Sequence, residues 1–101
     1  MNQFGDRIKE FREQQGLLQK YVANKLDIDT PMLSKIERGE RPGRKELIPL
    51  FAKLFQVPEE ELLSLWLAGK VYKMLENEKT ALQAMQVAEE EIKSKAKRKK
   101  K

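Results

Sequence analysis

The 101-residue chain has no cysteine and no histidine. Without cysteine it can form neither a disulfide framework nor a thiolate metal site, and without histidine it has no imidazole for general-base or zinc chemistry. It also lacks a glycine-rich phosphate loop and a nucleophile–base pair. These absences predict a protein that is not an enzyme and that needs no cofactor, metal or small-molecule ligand.

Long apolar runs are absent as well. No run approaches the roughly 18 residues of a membrane span, and residues 1–11 carry four charged side chains where a secretory signal needs an apolar stretch. We therefore expect a cytoplasmic protein with no membrane partner. A chain of this length has room for one small domain and an extra segment.

Charge is unevenly distributed along the chain, although the net value is only +5. Residues 1–45 hold 10 basic and 7 acidic side chains, residues 46–92 hold 4 and 9, and residues 93–101 hold 7 and none. The last segment contains no aromatic residue and is expected to be a disordered basic tail. It is either a solvated end or an arm that attracts DNA without sequence preference.

Apolar residues recur at spacings of three and four, which is typical of amphipathic helices. Six helices are predicted, at about residues 2–14, 19–26, 30–38, 45–55 and 58–75, and from 81 to beyond 92. In the fourth helix the spacing predicts a buried stripe, made of Leu47, Leu50, Phe51, Leu54 and Phe55.

The second and third helices carry a recognisable pattern. Its parts are Gly16-Leu17-Leu18-Gln19, Val22-Ala23, Leu26-Asp27-Ile28 and Leu33-Ser34-Lys35-Ile36-Glu37-Arg38-Gly39. This pattern resembles the helix-turn-helix of the lambda repressor/Cro family, also called the XRE family, and the resemblance covers residues 4 to about 65. It implies an all-α fold, with a five-helix lambda-repressor-like DNA-binding domain at residues 1–76, whose helix-turn-helix core is residues 18–38. A C-terminal sixth helix at 77–92 and the tail at 93–101 would follow.

Two positions depart from the family pattern. Leu18 stands where a threonine or serine usually caps the second helix, which costs about 1 kcal/mol of capping. Asp27 replaces the usual glycine of the turn, and aspartate is one of the few other residues that enter the left-handed region.

The resemblance also implies which side chains meet double-stranded DNA. It assigns base contacts to Thr30, Pro31, Ser34 and Lys35. Phosphate contacts fall to Gln19 and to a basic group at the end of the third helix and beyond it, made of Arg38, Arg41, Arg44 and Lys45. Arg12 and Glu37 occupy positions that form a structural ion pair between the first and third helices in some relatives.

Members of this family usually bind two-fold symmetric sites as homodimers. The fifth helix has one apolar face with Leu62, Leu65, Trp66 and Tyr72, and a second with Leu63, Leu67, Val71 and Met74. We expect a homodimer through Leu67, Val71, Met74, Met85 and Ile92. Whether the fifth or the sixth helix makes the contact stays open, as does a sixth helix that folds back over the second face.

Together these features predict a sequence-specific transcriptional regulator, a repressor or autoregulator associated with the nucleoid, similar to restriction-modification controllers and phage repressors. One alternative is an antitoxin that represses its own operon. A different class of alternative is a protein-interaction or coactivator module that keeps the fold and binds another protein through the fifth helix.

Overall fold

The computed structural model describes residues 2–99, with no description of the side chain of residue 99. In that range the chain forms six α-helices and no strand: α1 (Gln3–Gln14), α2 (Gln19–Lys25), α3 (Thr30–Arg38), α4 (Leu47–Phe55), α5 (Glu59–Leu75) and α6 (Ala81–Lys99). The all-α prediction is therefore confirmed. None of these helices is long and apolar enough to cross a membrane.

The chain divides into two compact units, Met1–Val71 and Tyr72–Lys101. The first unit ends before the domain boundary that the sequence predicted after residue 76. The boundary between the two units falls inside α5, because this helix continues past Val71. No linker separates the units there, so the sequence contains no signal of the boundary.

Local sequence sets the ends of α2 and α3. Asp29 caps α3, because its side chain accepts a hydrogen bond from the backbone N–H of Met32 at 2.8 Å. At the other end of α3, Gly39 adopts the left-handed conformation with φ of 79°. Leu18 makes no side-chain cap for α2, and Asp27 has φ of 57° in the turn, as its type allows.

The core of the first unit is built from every one of its helices. The largest fully buried side chains are Ile8, Val22, Leu33, Ile36, Ile48, Phe51, Phe55 and Leu62. Phe51 joins two parts of this core, since its ring lies 6.2 Å from that of Phe4 and 6.0 Å from that of Phe55. Each such buried aromatic ring contributes about 2 kcal/mol of transfer free energy, so this cluster fixes α4 against α1.

The predicted stripe of α4 is partly wrong. Ile48 is buried, whereas Leu50 is 44% exposed. The helix begins at Leu47, and its inward side consists of Leu47, Ile48, Phe51, Ala52 and Phe55. The spacing of apolar residues in α4 is compatible with burial of either Leu50 or Ile48. Packing against the neighbouring helices buries Ile48.

In the second unit, α6 extends beyond the helix that the sequence predicted. Residues 93–99 continue α6, where the sequence predicted a disordered tail, and residues 100 and 101 of that tail lie outside the described residues. Lysine, arginine and alanine are good helix formers, and basic side chains near a helix C-terminus are favoured by the dipole. An ion pair one helical turn apart, between Glu89 and Lys93 at 3.6 Å, also stabilises α6 where this segment begins.

The N-terminus of α1 lies against the C-terminal end of α3. The side chain of Asn2 caps α1 by accepting from the N–H of Gly5, and its amide donates to the carbonyl of Glu37 at 2.9 Å. A Cβ atom on Gly5 would lie 2.8 Å from the Glu37 carbonyl oxygen and still closer to that of Ile36. The two helices approach this closely only because residue 5 has no side chain.

A buried ion pair joins α1 to α3 further along. The carboxylate of Glu37 accepts from Nε of Arg12 at 2.8 Å and from its Nη2 at 3.1 Å, which is a bidentate contact. Arg12 also donates to the carbonyl of Leu17 at 2.9 Å, and Gln19 donates to Glu37 at 3.0 Å. The hydrogen bond to Glu37 raises the pKa of Arg12. The predicted pair is thus present, and Gln19 ties it to α2.

We predict that Gly5→Ala lowers the free energy of unfolding by about 1 to 3 kcal/mol, because the added methyl group forces α1 away from α3. Urea unfolding followed by circular dichroism measures this. Gly69→Ala in α5 is the matched control, since a Cβ there meets nothing within 4 Å. It should stabilise the protein by about 0.5 to 1 kcal/mol. Equal effects of the two substitutions would contradict the close approach.

Glu37→Gln should lower the free energy of unfolding by about 3 kcal/mol, because it leaves the mostly buried Arg12 guanidinium without its counter-charge. Glu40→Gln is the control: it removes the same charge from an exposed pair with Arg38 and should leave stability nearly unchanged. Chemical denaturation of both variants at pH 7 compares them. If Glu37→Gln proves as harmless as Glu40→Gln, the buried pair does not hold α3.

Candidate nucleic-acid interface

One side of α3 is held in the core and the other is accessible. Leu33, Ile36 and Glu37 are buried. The other side consists of Thr30, Pro31, Ser34, Lys35 and Arg38, which we call the outer face of α3; these residues are half-buried or exposed. The four side chains predicted to contact bases therefore share one accessible surface, on the N-terminal two turns of the helix.

Arg38 bonds to its neighbours within the outer face and the loop that follows. Its Nε donates to the carboxylate of Glu40 at 2.5 Å, and its Nη1 donates to the hydroxyl of Ser34. The hydrogen bond to Arg38 lowers the pKa of Glu40, and the same bond raises the pKa of Arg38. The structure thus brings a predicted phosphate contact and a predicted base contact together. Because all three side chains are accessible, water or a phosphate can replace these bonds at little cost.

Gln19 is the first residue of α2 and is half-buried. Its side-chain nitrogen donates one hydrogen bond to Glu37. An amide nitrogen carries two hydrogens, so a second donor is left for another acceptor. The predicted phosphate role of Gln19 stays a prediction, whereas its bond to Glu37 links α2 to α3, as the family resemblance implies for a glutamine that braces the third helix.

The remaining basic side chains lie in the α3–α4 loop, residues 39–46. Arg41, Arg44 and Lys45 are all exposed. Gly43 has φ of 76°, and a Cβ there would lie 3.0 Å from Cδ1 of Ile36, so glycine lets the loop approach α3 closely. This places three cations within a few residues of the C-terminal end of α3.

An open cleft of about 540 Å³ separates this loop from the start of α3. Its lining includes the apolar side chains of Ile28, Met32 and Leu47, the acidic residue Asp29, and the two arginines Arg41 and Arg44. Two of the predicted phosphate contacts thus line the same cleft as Asp29 and Met32 at the start of α3.

Trp66 contacts the same loop from α5. Its indole N–H points at two carbonyl oxygens, that of Pro42 at 3.1 Å and that of Gly43 at 3.2 Å. The sequence placed Trp66 on an apolar face and contained no signal of this contact. The close approach of α1 and α3 differs in this respect, because a glycine inside an amphipathic helix, here Gly5, is typical of a position where another backbone lies close.

The side chains predicted to form a dimer are exposed. In the first unit Leu67 is 45% exposed and Val71 is 40% exposed; in the second unit Met74, Met85 and Ile92 are exposed. The two predicted apolar faces of α5 do not separate into one buried and one exposed face. Leu63, on one face, packs partly against the core, and Tyr72, on the other, is exposed. The core ends before the last turn of α5, so only its first half has a buried side.

Comparison with known proteins agrees with this geometry. Residues 8–62 match the model of a protein family, HTH_3, described as helix-turn-helix. No solved structure matches the chain. The family match covers more than half of the chain and contains α2, the turn and α3 entire. The chain therefore belongs to the helix-turn-helix family HTH_3, that of the lambda repressor and Cro-like DNA-binding regulators.

Proposed function

We propose that this protein is a sequence-specific regulator that inserts α3 into the major groove of double-stranded DNA. The observation that carries the proposal is the two-sided character of α3: buried Leu33 and Ile36 and the buried ion pair of Glu37 hold one side, and the outer face stays accessible. A helix that is rigidly supported from behind can present its N-terminal residues to base edges.

The chemistry of the outer face suits base recognition. Lys35 can donate to O6 and N7 of guanine, while Ser34 and Thr30 can donate or accept. The ring of Pro31 and the methyl group of Thr30 can contact the methyl group of thymine. Only Lys35 among these suggests a base preference, and a weak one, so most of the specificity would come from the combined set.

Phosphate contacts would fix the position of α3 without reading sequence. Gln19 lies at the start of α2, and Arg41, Arg44 and Lys45 are exposed in the loop after α3. Arg38 would join them by exchanging its contact with Glu40 for a phosphate oxygen. These contacts bracket the outer face from two elements, which is the arrangement that orients a helix in a groove.

A homodimer would double the length of DNA that is read. A single helix-turn-helix covers few base pairs, and two-fold symmetric operators match two-fold symmetric dimers. Each unit has exposed apolar side chains that such a contact would bury: Leu67 and Val71 in the first, and Met74, Met85 and Ile92 in the second. Occupation of an operator blocks access to the DNA beneath it, so we propose repression, including that of its own gene, in the cytoplasm at the nucleoid.

The same exposed apolar side chains also support a second candidate, a protein-interaction module that keeps the fold and binds another protein instead of a second copy. Selection of bound sequences from a random duplex pool separates the two. Enrichment of one symmetric sequence supports the regulator, and an unenriched pool supports the interaction module.

Lys35→Ala should lower affinity for the selected operator by about 1 to 3 kcal/mol and relax preference at one base position. Arg41→Ala and Arg44→Ala should instead weaken binding to operator and random DNA by similar factors and reduce the salt dependence, as loss of phosphate contacts does. Binding isotherms on both duplexes measure the difference. Equal losses on the two duplexes for Lys35→Ala would refute its role at a base.

Val71→Glu should convert a homodimer to monomers, because the contact would have to bury a charge. Operator affinity should then fall about a hundredfold, since the second half-site is no longer bound within one complex. Gly69→Glu adds the same charge on the other side of α5 and should leave the dimer intact. Sedimentation at micromolar concentration measures the oligomeric state of the two variants. A wild-type monomer that still binds a symmetric operator tightly would refute the dimer.

A further inference from the structure

The stretch between Arg41 and Arg44 has little backbone support from its own loop. The N–H of Arg41 reaches the carbonyl of Lys35 only at 3.4 Å, and the carbonyl of Arg44 accepts from Leu47 at 3.0 Å. Between these two points lies Pro42, which has no N–H to donate. The loop therefore depends on contacts from elsewhere to hold one conformation.

Trp66 of α5 provides such a contact. Its indole N–H is shared between the carbonyls of Pro42 and Gly43, the two residues between the arginines. The indole also packs against the core, and the ammonium group of Lys70 lies 4.9 Å from its ring. Leu62, one turn earlier on α5, is fully buried, so the helix that carries the indole is itself fixed.

The same stretch of the loop is also fixed by packing against α3. Gly43 lies against Ile36 of α3, where even a Cβ atom would be only 3.0 Å from Cδ1 of Ile36. The loop is thus held between a buried residue of α3 on one side and a donor from α5 on the other. Loss of the donor frees one side only, so the fold should persist while the direction of the two arginine side chains varies.

We infer that Trp66 is a positioning residue for DNA binding: its N–H sets the path of the α3–α4 loop and thereby the place where Arg41 and Arg44 meet phosphates. The inference rests on the proposed function. It adds a residue that touches no DNA and that neither the family pattern nor the charge of the chain indicates. The interaction is a hydrogen bond, so it can be removed while most of the ring is kept.

The test compares Trp66→Phe with Leu65→Ala. Phenylalanine keeps an aromatic ring and removes the donor, whereas Leu65→Ala removes neighbouring packing on α5 and no hydrogen bond to the loop. In the free proteins, the NMR order parameters of the backbone amides of Gly43 and Arg44 should fall in Trp66→Phe, from about 0.85 in the wild-type protein toward about 0.6, because the carbonyls of Pro42 and Gly43 lose their donor. Leu65→Ala should leave the order parameters of this loop unchanged relative to those of α1.

DNA binding supplies the second arm. Trp66→Phe should weaken binding to a random duplex and to the selected operator by the same factor, about 3- to 10-fold. In a protein that already carries Arg41→Ala and Arg44→Ala, the further change Trp66→Phe should cost less than about 2-fold, because coupled residues are not additive. A merely structural role for Trp66 would give the full loss in both backgrounds.

The outcomes separate this inference from the proposed function. A wild-type protein that binds no duplex DNA overturns both. Two outcomes overturn only the role of Trp66 while the wild-type protein still binds DNA. In the first, Trp66→Phe binds DNA as well as the wild-type protein does. In the second, Trp66→Phe causes the same loss of affinity in the protein that lacks Arg41 and Arg44 as in the protein that has them. Unchanged order parameters at Gly43 and Arg44 overturn it as well.

Discussion

The carboxylate of Glu37 is the group on which the arrangement of the first three helices depends. It is almost fully buried, yet its oxygens accept bonds from Arg12 and Gln19, and no buried side-chain nitrogen or oxygen in the described residues lacks a partner. A buried charge is tolerated only with such complete pairing. Since its partners come from α1 and α2, this one side chain fixes the angle of α3 to both.

The same interaction has an electrostatic consequence for DNA binding. An uncompensated carboxylate on α3 would repel phosphate, and its pairing with a guanidinium inside the fold removes that field. The neighbouring Asn2 donates to the Glu37 carbonyl, so the end of α3 is held from α1 by side chain and backbone together. The outer face carries no comparable constraint, which leaves its side chains free to exchange partners with water or DNA.

Several parts of the structure could be predicted from local sequence. Asp29 before Pro31 marks the start of α3, and Gly39 marks its end, because capping and left-handed conformations are properties of the residues themselves. The left-handed Asp27 and the uncapped Leu18 follow from the same local chemistry. Other features could not be predicted this way. In α4 the periodicity fits both Leu50 and Ile48, and the neighbouring helices decide between them.

The sequence by itself determined the helices, most of their ends, the helix-turn-helix and the side of α3 that stays accessible, since each depends on residues within a few positions of one another. Only the tertiary structure decided which distant groups meet: the amide of Asn2 with the carbonyl of Glu37, Gln19 with the Glu37 carboxylate, and the indole of Trp66 with the loop after α3. These contacts join residues 18 to 35 positions apart. Helical periodicity reports which face of a helix is apolar, but a single hydrogen bond depends on the angle and depth at which two helices pack, and no local pattern encodes that.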